Sequence, residues 1–279
     1  MTLSVAHEWA DAVANFLIES GAPGVQYADG SDTTTLVAYF RSDPPVERLQ
    51  RYCIAIGCSP PEPPLDIQVR QIGDENWAEN WKAHFQPQSV GERLYVCPSW
   101  NATPPPGRTA VIIDPGMAFG TGQHASTRGC LELIEWTLSV RPTKRAVDVG
   151  TGSGVLAVAL AKLGVRDVWA VDTDPLACAV ATANAARNGV GQQLHITSDL
   201  DDVSGSFGIV VANLHADVIV TLAPRFAAVL QVAGTVICSG LLAGEEDRVR
   251  DAFRVVSLRT VRRYEQDSWV TVAFRRQPT

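Results

Sequence analysis

The stretch VDVGTGSG, residues 147–154, decides the fold because it joins a buried strand to a buried helix. The residues RAVDV, 145–149, are predicted to form a strand, and VLAVALAKLG after the glycines has the composition of a buried helix. The glycines Gly150, Gly152 and Gly154 allow the backbone to turn tightly and bring helix N–H groups close to a ligand. We therefore predict a ligand-binding turn at the carboxyl end of a strand.

From residue 145 onward, short apolar strands alternate with helices. The strands DVWAVD, LHITSD, FGIVVANL and GTVICSG carry few polar residues, which is typical of a parallel sheet covered by helices on both faces. The segments FRVVSLRTVRRY and SWVTVAFRR have no helix between them. They predict an antiparallel strand pair at the edge of an otherwise parallel, Rossmann-like α/β sheet.

The first quarter of the chain has a different pattern. Its order of apolar segments predicts β-α-β-β-α-β, the split pattern of a small α+β ferredoxin-like domain. We place this domain at residues 1–72, a linker at 73–100 and the α/β domain at 101–279. Residues 1–66 hold nine acidic and three basic residues, so this part contributes −6 of the chain's net charge of −7. Such a charge repels nucleic-acid phosphates and attracts basic protein surfaces, although it can also serve solubility alone.

Composition narrows the class of protein. A chain of 279 residues with 46% hydrophobic and 19% charged residues is typical of a soluble globular enzyme. We expect no signal peptide, because the first residues lack a basic region, and no apolar run approaches the roughly 20 residues of a membrane span. The six cysteines show no metal-like spacing, so we predict no metal site and a reducing, cytoplasmic location.

Two acidic residues near the glycine turn indicate which ligand it binds. Asp172 ends the next strand, where a carboxylate accepts hydrogen bonds from ribose hydroxyls. Asp148 lies just before the turn, where it would disfavour a pyrophosphate and favour an ammonium group. A ligand with adenosine at one end and an amino acid at the other satisfies both, so we predict S-adenosylmethionine. A nicotinamide dinucleotide is disfavoured because Val155 stands where its motif has a third glycine; a turn with glycines for packing alone is the other alternative.

The segment VVANLHAD, residues 210–217, adds a second polar group at the same edge. Asn213 ends the fourth strand of the α/β part, where open sheets bind ligands. Enzymes that methylate base amines resemble one another in an Asn-Pro-Pro-aromatic motif here, whereas this chain has Leu214 and His215. An amine substrate therefore remains plausible, but a stacked base does not. His215 is either a base or, as is commoner for a surface histidine at a helix start, passive.

A further glycine-rich stretch, DPGMAFGTGQHAST, spans residues 114–127. We expect it to cover the ligand as a lid, with Phe119 over the sulfonium region and Gly120 allowing close backbone contact. Thr127 is expected to cap the following helix and present its hydroxyl to the ligand. His124 is a candidate proton acceptor, with a structural role in the loop as the equal alternative. A long surface loop without such a role is also consistent with the sequence.

These motifs resemble two groups of proteins, one nested in the other. Residues 145–276 are similar to the seven-stranded class I methyltransferases. More narrowly, DPGMAFGTGQHAST, VDVGTGSG, AVDTDP, VVANLHAD and CSGLL resemble the bacterial methyltransferases of ribosomal protein L11, over about residues 76–242. The departures are Thr151 where cysteine is usual, Leu214-His215 for Ile-Leu, and Ala125-Ser126 for Pro-Thr. Residues 1–72 resemble that family's recognition domain in pattern more than in residues.

The resemblance implies methylation of lysine side chains and an α-amine on a basic ribosomal protein. It implies a monomer without direct nucleic-acid contact, which catalyses by positioning the amine. The alternatives are a protein-lysine methyltransferase with another target, a small-molecule methyltransferase and a non-catalytic binding factor. The candidate catalytic residues are Asn213 and His124, and the candidate cofactor residues are Thr127, Gly150, Asp172, Asn213, Phe119, Gly120, Gly152 and Asp148.

Overall fold

The computed structural model describes residues 1–22, 24–30, 32–40, 43–58, 65–70, 85–114 and 124–276. The chain divides into two compact units, Met1–Asn80 and Trp81–Thr279. The first unit has one hydrophobic core, and the second has two.

The first unit is a four-stranded antiparallel sheet in the order β2-β3-β1-β4, with two helices. Its elements are β1 (Thr2–Ala6), α1 (Ala10–Glu19), β2 (Val25–Asp29), β3 (Thr33–Ala38), α2 (Val46–Ala55) and β4 (Ile67–Gln68). Val13 and Leu17 of α1 and Leu49 and Cys53 of α2 are fully buried in its core. The strand predicted over LDIQVRQI is shorter than expected. Ile67 and Gln68 pair with Leu3 and Thr2, and residues 71–72 of the predicted strand lie outside the described part of the chain.

The second unit is built on a seven-stranded sheet in the order β10-β9-β8-β11-β12-β14-β13. Its strands are β8 (Arg145–Val149), β9 (Asp167–Val171), β10 (Leu194–Thr197), β11 (Phe207–Asn213), β12 (Leu230–Leu242), β13 (Leu258–Gln266) and β14 (Trp269–Arg276). Strands β8 to β12 pair in parallel, whereas β14 runs antiparallel to both β12 and β13. β13 is therefore an edge strand.

Helices cover both faces of this sheet. They are α3 (Ala125–Val140), α4 (Val155–Lys162), α5 (Pro175–Arg187), α6 (Ala216–Val229) and α7 (Glu246–Val255). Residues of α3, α4 and α5 pack on one face, and residues of α6 and α7 on the other. The neighbours Val210 and Val211 of β11 are both fully buried, one in each core. Burial on both faces explains why the strands read as continuous apolar runs.

A small three-stranded sheet precedes the seven-stranded sheet in the second unit. It consists of β5 (Gln88–Val90), β6 (Leu94–Cys97) and β7 (Thr109–Ile112), with β5-β6 antiparallel and β6-β7 parallel. The Asn188 side chain accepts a hydrogen bond from the Ile112 N–H at 2.8 Å and donates to the Ile112 carbonyl at 2.7 Å. This pair of bonds fixes the end of β7, just before the stretch DPGMAFGTGQHAST.

All six cysteines are free thiols. Within the described part of the chain, no helix combines the length and the apolar character that crossing a membrane requires.

Candidate functional site

The candidate site lies where the strand order of the large sheet reverses. From β8 the chain passes through α4 to β9 on one side, while β11 lies on the other side of β8. In open α/β sheets, this reversal leaves a crevice at the carboxyl ends of the strands. The stretch VDVGTGSG leaves β8 at this crevice, and Asn213 ends β11 beside it.

The glycine turn has a backbone that requires glycine. Gly150 has a φ of 76° and Gly154 a φ of 82°, both in the left-handed region. A Cβ on Gly150 would overlap the side chain of Leu214, and a Cβ on Gly154 would lie 3.0 Å from the Cβ of Ala181. The turn therefore depends on these glycines for both its conformation and its packing.

Asp172 is tied to the turn by two backbone hydrogen bonds. Its Oδ2 accepts from the Gly152 N–H at 2.8 Å, and its Oδ1 accepts from the Asp174 N–H at 3.0 Å. The residue is half-buried. Because each carboxylate oxygen can accept more than one hydrogen bond, Asp172 keeps acceptor capacity for ligand hydroxyls.

Asp148 lies beneath the turn and is fully buried. Its Oδ2 accepts from the Thr151 hydroxyl at 2.6 Å and from the Ala157 N–H at 3.2 Å. Its Oδ1 has no hydrogen-bond partner in the structure as described. Burial raises the pKa of this carboxyl from its usual 3.8 to about 7, although the bonds from Thr151 and Ala157 lower it. Asp148 thus holds the turn from below, and Thr151, one of the departures from the family pattern, supplies one of its bonds.

Asn213 is oriented by a residue far away in the sequence. Its side-chain Nδ2 donates to the Thr127 hydroxyl at 3.3 Å, which leaves the amide oxygen free to accept. The next residue, Leu214, donates its N–H to the Ser239 carbonyl at 3.1 Å. Its side chain packs against Gly150, and its backbone lies so close to Gly240 that a Cβ there would overlap it. Leu214 therefore connects the glycine turn to the Asn213 strand end.

The start of helix α3 differs from the prediction for Thr127. The N-cap is His124, whose Nδ1 accepts from the Ser126 N–H at 3.3 Å and contacts the Ser126 hydroxyl at 2.7 Å. Thr127 is buried within the first turn, so the prediction that it caps the helix is wrong. Because the His124 ring takes the capping role, the Thr127 hydroxyl is available to Asn213.

His124 also packs against an aromatic ring. Its imidazole contacts Trp269 edge-on, with ring centroids 4.6 Å apart. His215, by contrast, is exposed, and its carbonyl accepts from the first N–H groups of helix α6. Phe119 and Gly120 lie outside the described residues.

A buried hydroxyl pair near Asn213 was not anticipated from the sequence. Ser239 lies opposite Asn213 in the β11-β12 register, and its hydroxyl contacts that of Thr271 at 2.7 Å. Thr271 in turn fills the space left by the missing side chain of Gly129 on α3. The polar pair SG near the carboxyl end of an apolar strand was the available signal, but its partner on β14 could not be inferred from the sequence.

The fold and this site define a class I methyltransferase: a mixed seven-stranded sheet with a glycine turn, a strand-end carboxylate and a strand-end asparagine at the reversal. The family model described as "Ribosomal protein L11 methyltransferase (PrmA)" matches residues 1–277. The chain belongs to this family, and the resemblance inferred from its motifs is confirmed.

Individual relatives agree with this assignment. The ribosomal protein L11 methyltransferase of Pelobacter propionicus is 36% identical, over 99% of this chain and 96% of its own length. That of Pelotomaculum thermopropionicum is 42% identical, over 82% of this chain and 75% of its own length. The crystal structure of a ribosomal protein L11 methylase from Lactobacillus delbrueckii subsp. bulgaricus is 29% identical. It superposes with a TM-score of 0.62, covering 69% of this chain and 100% of that chain.

Proposed function

We propose that this chain uses S-adenosylmethionine to methylate amino groups of ribosomal protein L11, namely lysine side chains and the N-terminal α-amine. It acts as a cytoplasmic monomer. One observation carries the proposal: the glycine turn anchored to Asp172 and the Asn213–Thr127 pair meet at one crevice, connected through Leu214. The names and folds of its relatives support the same activity.

The residues of the crevice fit S-adenosylmethionine. Asp172 offers carboxylate oxygens for the ribose hydroxyls, and the left-handed glycine turn exposes backbone close to the ligand. Asp148 places a buried carboxyl beneath the turn, and its Oδ1 has no partner among the described atoms. Gly150, Gly152, Asp172, Asp148 and Thr127 are the described residues that we assign to the cofactor, with Phe119 and Gly120 assigned on sequence alone.

The chemistry requires a neutral amine close to an electrophilic methyl group, which the sulfonium of S-adenosylmethionine supplies. A lysine with a pKa near 10.4 needs about 4.6 kcal/mol to lose its proton at pH 7. Removal from water and a nearby positive charge reduce this cost without a strong base. The amine would lose its proton to solvent before transfer, and the neutral amine would then accept the methyl group that bound S-adenosylmethionine supplies.

Asn213 is the residue that we assign to orienting the amine. Because Nδ2 is held by Thr127, the amide oxygen has a fixed direction and accepts a hydrogen bond from an amine N–H. The Asn213 carbonyl is a second acceptor at the strand end. His124 is committed to the helix cap and to Trp269, so its contribution in this proposal is to hold the start of α3.

We assign substrate recognition to the N-terminal residues 1–72, followed by a linker at 73–100 and the catalytic domain at 101–279. The antiparallel order β2-β3-β1-β4 with two helices supports a ferredoxin-like domain. The charge of −6 on residues 1–66 complements a basic protein. Strands β5 and β6 fall within the proposed linker. Because β6 pairs with both β5 and β7, this part of the linker belongs to the second unit.

Mass spectrometry of ribosomal proteins treated with the purified enzyme and methyl-labelled S-adenosylmethionine tests the proposal. We expect label on amino groups of L11 and on no other ribosomal protein. The Asn213→Ala variant should bind the cofactor but transfer the methyl group slowly, whereas Asp172→Ala should lose cofactor affinity. Label on another protein would identify a different target, and the absence of methyl transfer to any protein would contradict the proposed function.

A further inference from the structure

A group of arginines surrounds Trp136 at the β13 edge of the large sheet. The guanidinium carbon of Arg262 lies 5.0 Å from the centroid of the Trp136 ring, and that of Arg275 lies 5.6 Å from it. Two positively charged guanidinium groups therefore lie beside one half-buried tryptophan of helix α3.

Two further arginines extend the group. Arg259 of the edge strand lies directly opposite Arg275 in the β13-β14 register, so their side chains share a face. Arg141, at the end of α3, is near enough that its charge adds to burial in lowering the pKa of Arg275. We call Arg141, Arg259, Arg262 and Arg275 the arginine edge.

The arginine edge has no counter-charge in the described part of the chain. Its neighbours Arg254 and Arg263 pair with carboxylates, the first with Asp251 and the second with Glu246 and Glu265. None of the four arginines forms such a pair; Arg275 donates to the Thr235 hydroxyl and Arg259 to backbone carbonyls. Like charges held together without counter-ions repel one another, and a bound anion would relieve that repulsion.

Protection of an exposed strand edge does not account for the whole group. Charged residues on an edge strand prevent pairing with other strands, and Arg259 and Arg262 suffice for that. Arg141 follows helix α3, and Arg275 lies on the inner strand β14, so neither guards the edge.

We propose that the arginine edge binds RNA through its backbone phosphates. Planar guanidinium groups match phosphate oxygens with two parallel hydrogen bonds. Arg259 and Arg262 lie three positions apart on β13, and a register shift between Thr260 and Arg262 places both opposite the face of Arg275 and Ala273. At about 3.3 Å per residue, the two charges form a row suited to an extended polyanion. An acidic protein surface is the competing partner, and the test separates the two.

This surface is distinct from the methyl-transfer site. Arg275 pairs with Thr235 of β12, whereas Asn213 of β11 pairs with Ser239, which lies nearer the carboxyl end of β12. The two surfaces thus lie toward opposite ends of the parallel strands. The inference goes beyond the proposed function, and it departs from the expectation, drawn from the family resemblance and the acidic N-terminal residues, that the protein makes no direct contact with nucleic acid.

Fluorescence anisotropy with a labelled single-stranded RNA tests the proposal. The wild-type protein should bind with an affinity that falls as salt rises. The variant Arg259→Gln/Arg262→Gln should bind roughly tenfold more weakly. Its slope of log affinity against log salt should be smaller by about 1.4, since two phosphate contacts are lost.

The matched control is Arg225→Gln/Arg248→Gln, which removes the same charge from two exposed arginines that pair with Asp201 and Asp217. It should bind RNA like the wild type. Thermal unfolding establishes that both variants are folded, and methyl transfer to free L11 should be unchanged in both, which keeps this test separate from that of the proposed function. The proposal fails if the wild type does not bind RNA, if both variants lose affinity equally, or if polyglutamate competes as well as RNA.

Discussion

Leu214 shows how a single apolar residue shapes the candidate site. Its side chain occupies the space above Gly150, its N–H bonds to Ser239, and its backbone fills the space beside Gly240. Leu214 contacts both the glycine turn and the β12 backbone, so a substitution on either side of it shifts the neighbouring Asn213. The role of Leu214 is positional, and the glycines around it allow the close contact.

We expect Gly150→Ala to lower kcat/KM more than the backbone strain of an alanine at positive φ would by itself. The strain of an alanine at positive φ costs about 1–2 kcal/mol of the free energy of unfolding. Here the new methyl group also overlaps Leu214, so kcat/KM should fall at least roughly tenfold as Asn213 shifts. Urea denaturation and methyl-transfer kinetics measure the two effects.

Gly164→Ala is the matched control. Gly164 has a φ of 104°, and nothing lies within 4 Å of the position that its Cβ would take. The control should show the strain without the loss of kcat/KM. Equal losses in both variants would argue against the contact with Leu214.

Asp148 predicts a pH dependence of stability. Its pKa in the folded protein is about 7, above its usual 3.8. The raised pKa means that the folded state holds this proton more tightly than the unfolded state. The resulting stabilisation is present at low pH and is lost as pH rises toward and through 7. Between pH 5 and pH 8 the loss is on the order of 2–3 kcal/mol.

Asp148→Asn, whose side chain does not titrate, removes this pH-dependent stabilisation. Urea denaturation of both proteins at pH 5 and pH 8, without cofactor, measures it. The wild type should lose more stability over this range than the variant. A variant whose free energy of unfolding changes with pH as much as that of the wild type would show that Asp148 keeps an ordinary pKa.

At the level of elements, helix α3 carries two buried threonines with different surroundings. Thr127 accepts the hydrogen bond from Asn213, whereas the Thr137 hydroxyl is buried and has no partner among the described residues. The same substitution at the two positions therefore separates the orientation of Asn213 from the packing of the helix.

We expect Thr127→Val to lower kcat roughly fivefold, because the Asn213 amide loses the bond that fixes its direction, worth about 1 kcal/mol. Thr137→Val should leave kcat unchanged and should not reduce stability, since it removes an unsatisfied buried hydroxyl. Thr127→Ser should restore most of the activity. Steady-state methyl transfer provides the measurement, and equal effects of the two valines would refute the role of the bond.

The same elements show what could be predicted from the sequence. The glycine turn, Asp172 and Asn213 are recognisable because each follows directly from the end of an apolar strand. The bond between Thr127 and Asn213 joins residues 86 positions apart, and that between Ser239 and Thr271 joins residues 32 apart. Such contacts depend on how helices and strands are placed in space, which local patterns do not determine. The N-cap was misassigned for a local reason, because a histidine ring took the place expected of a threonine hydroxyl.

For the whole molecule, the distribution of charge leads to a prediction about substrate binding. If the acidic N-terminal residues recruit a basic protein, the KM for that protein should rise with salt concentration, while the Kd of the cofactor should stay nearly constant. Activity assays and calorimetry at several salt concentrations test this directly.

Glu19→Gln/Glu47→Gln neutralises two exposed acids of the first unit. The KM for the protein substrate should rise roughly three- to tenfold. Asp217→Asn/Asp251→Asn removes the same charge from the second unit and should have a smaller effect. If the two double variants raise the KM equally, the net charge of the chain, rather than its N-terminal residues, attracts the substrate.

The position of β14 has a consequence for how the large sheet is completed during synthesis. β13 leaves the ribosome before β14, yet β14 is the strand that lies between β13 and β12. In a nascent chain that stops before residue 269, the edge of β12 is therefore unpaired, and β13 has no neighbouring strand with which to pair. Asp267 and Ser268 both have positive φ, as in the tight turns that favour hairpins. We expect the two strands to fold back on each other first and to close the sheet together as a single late step.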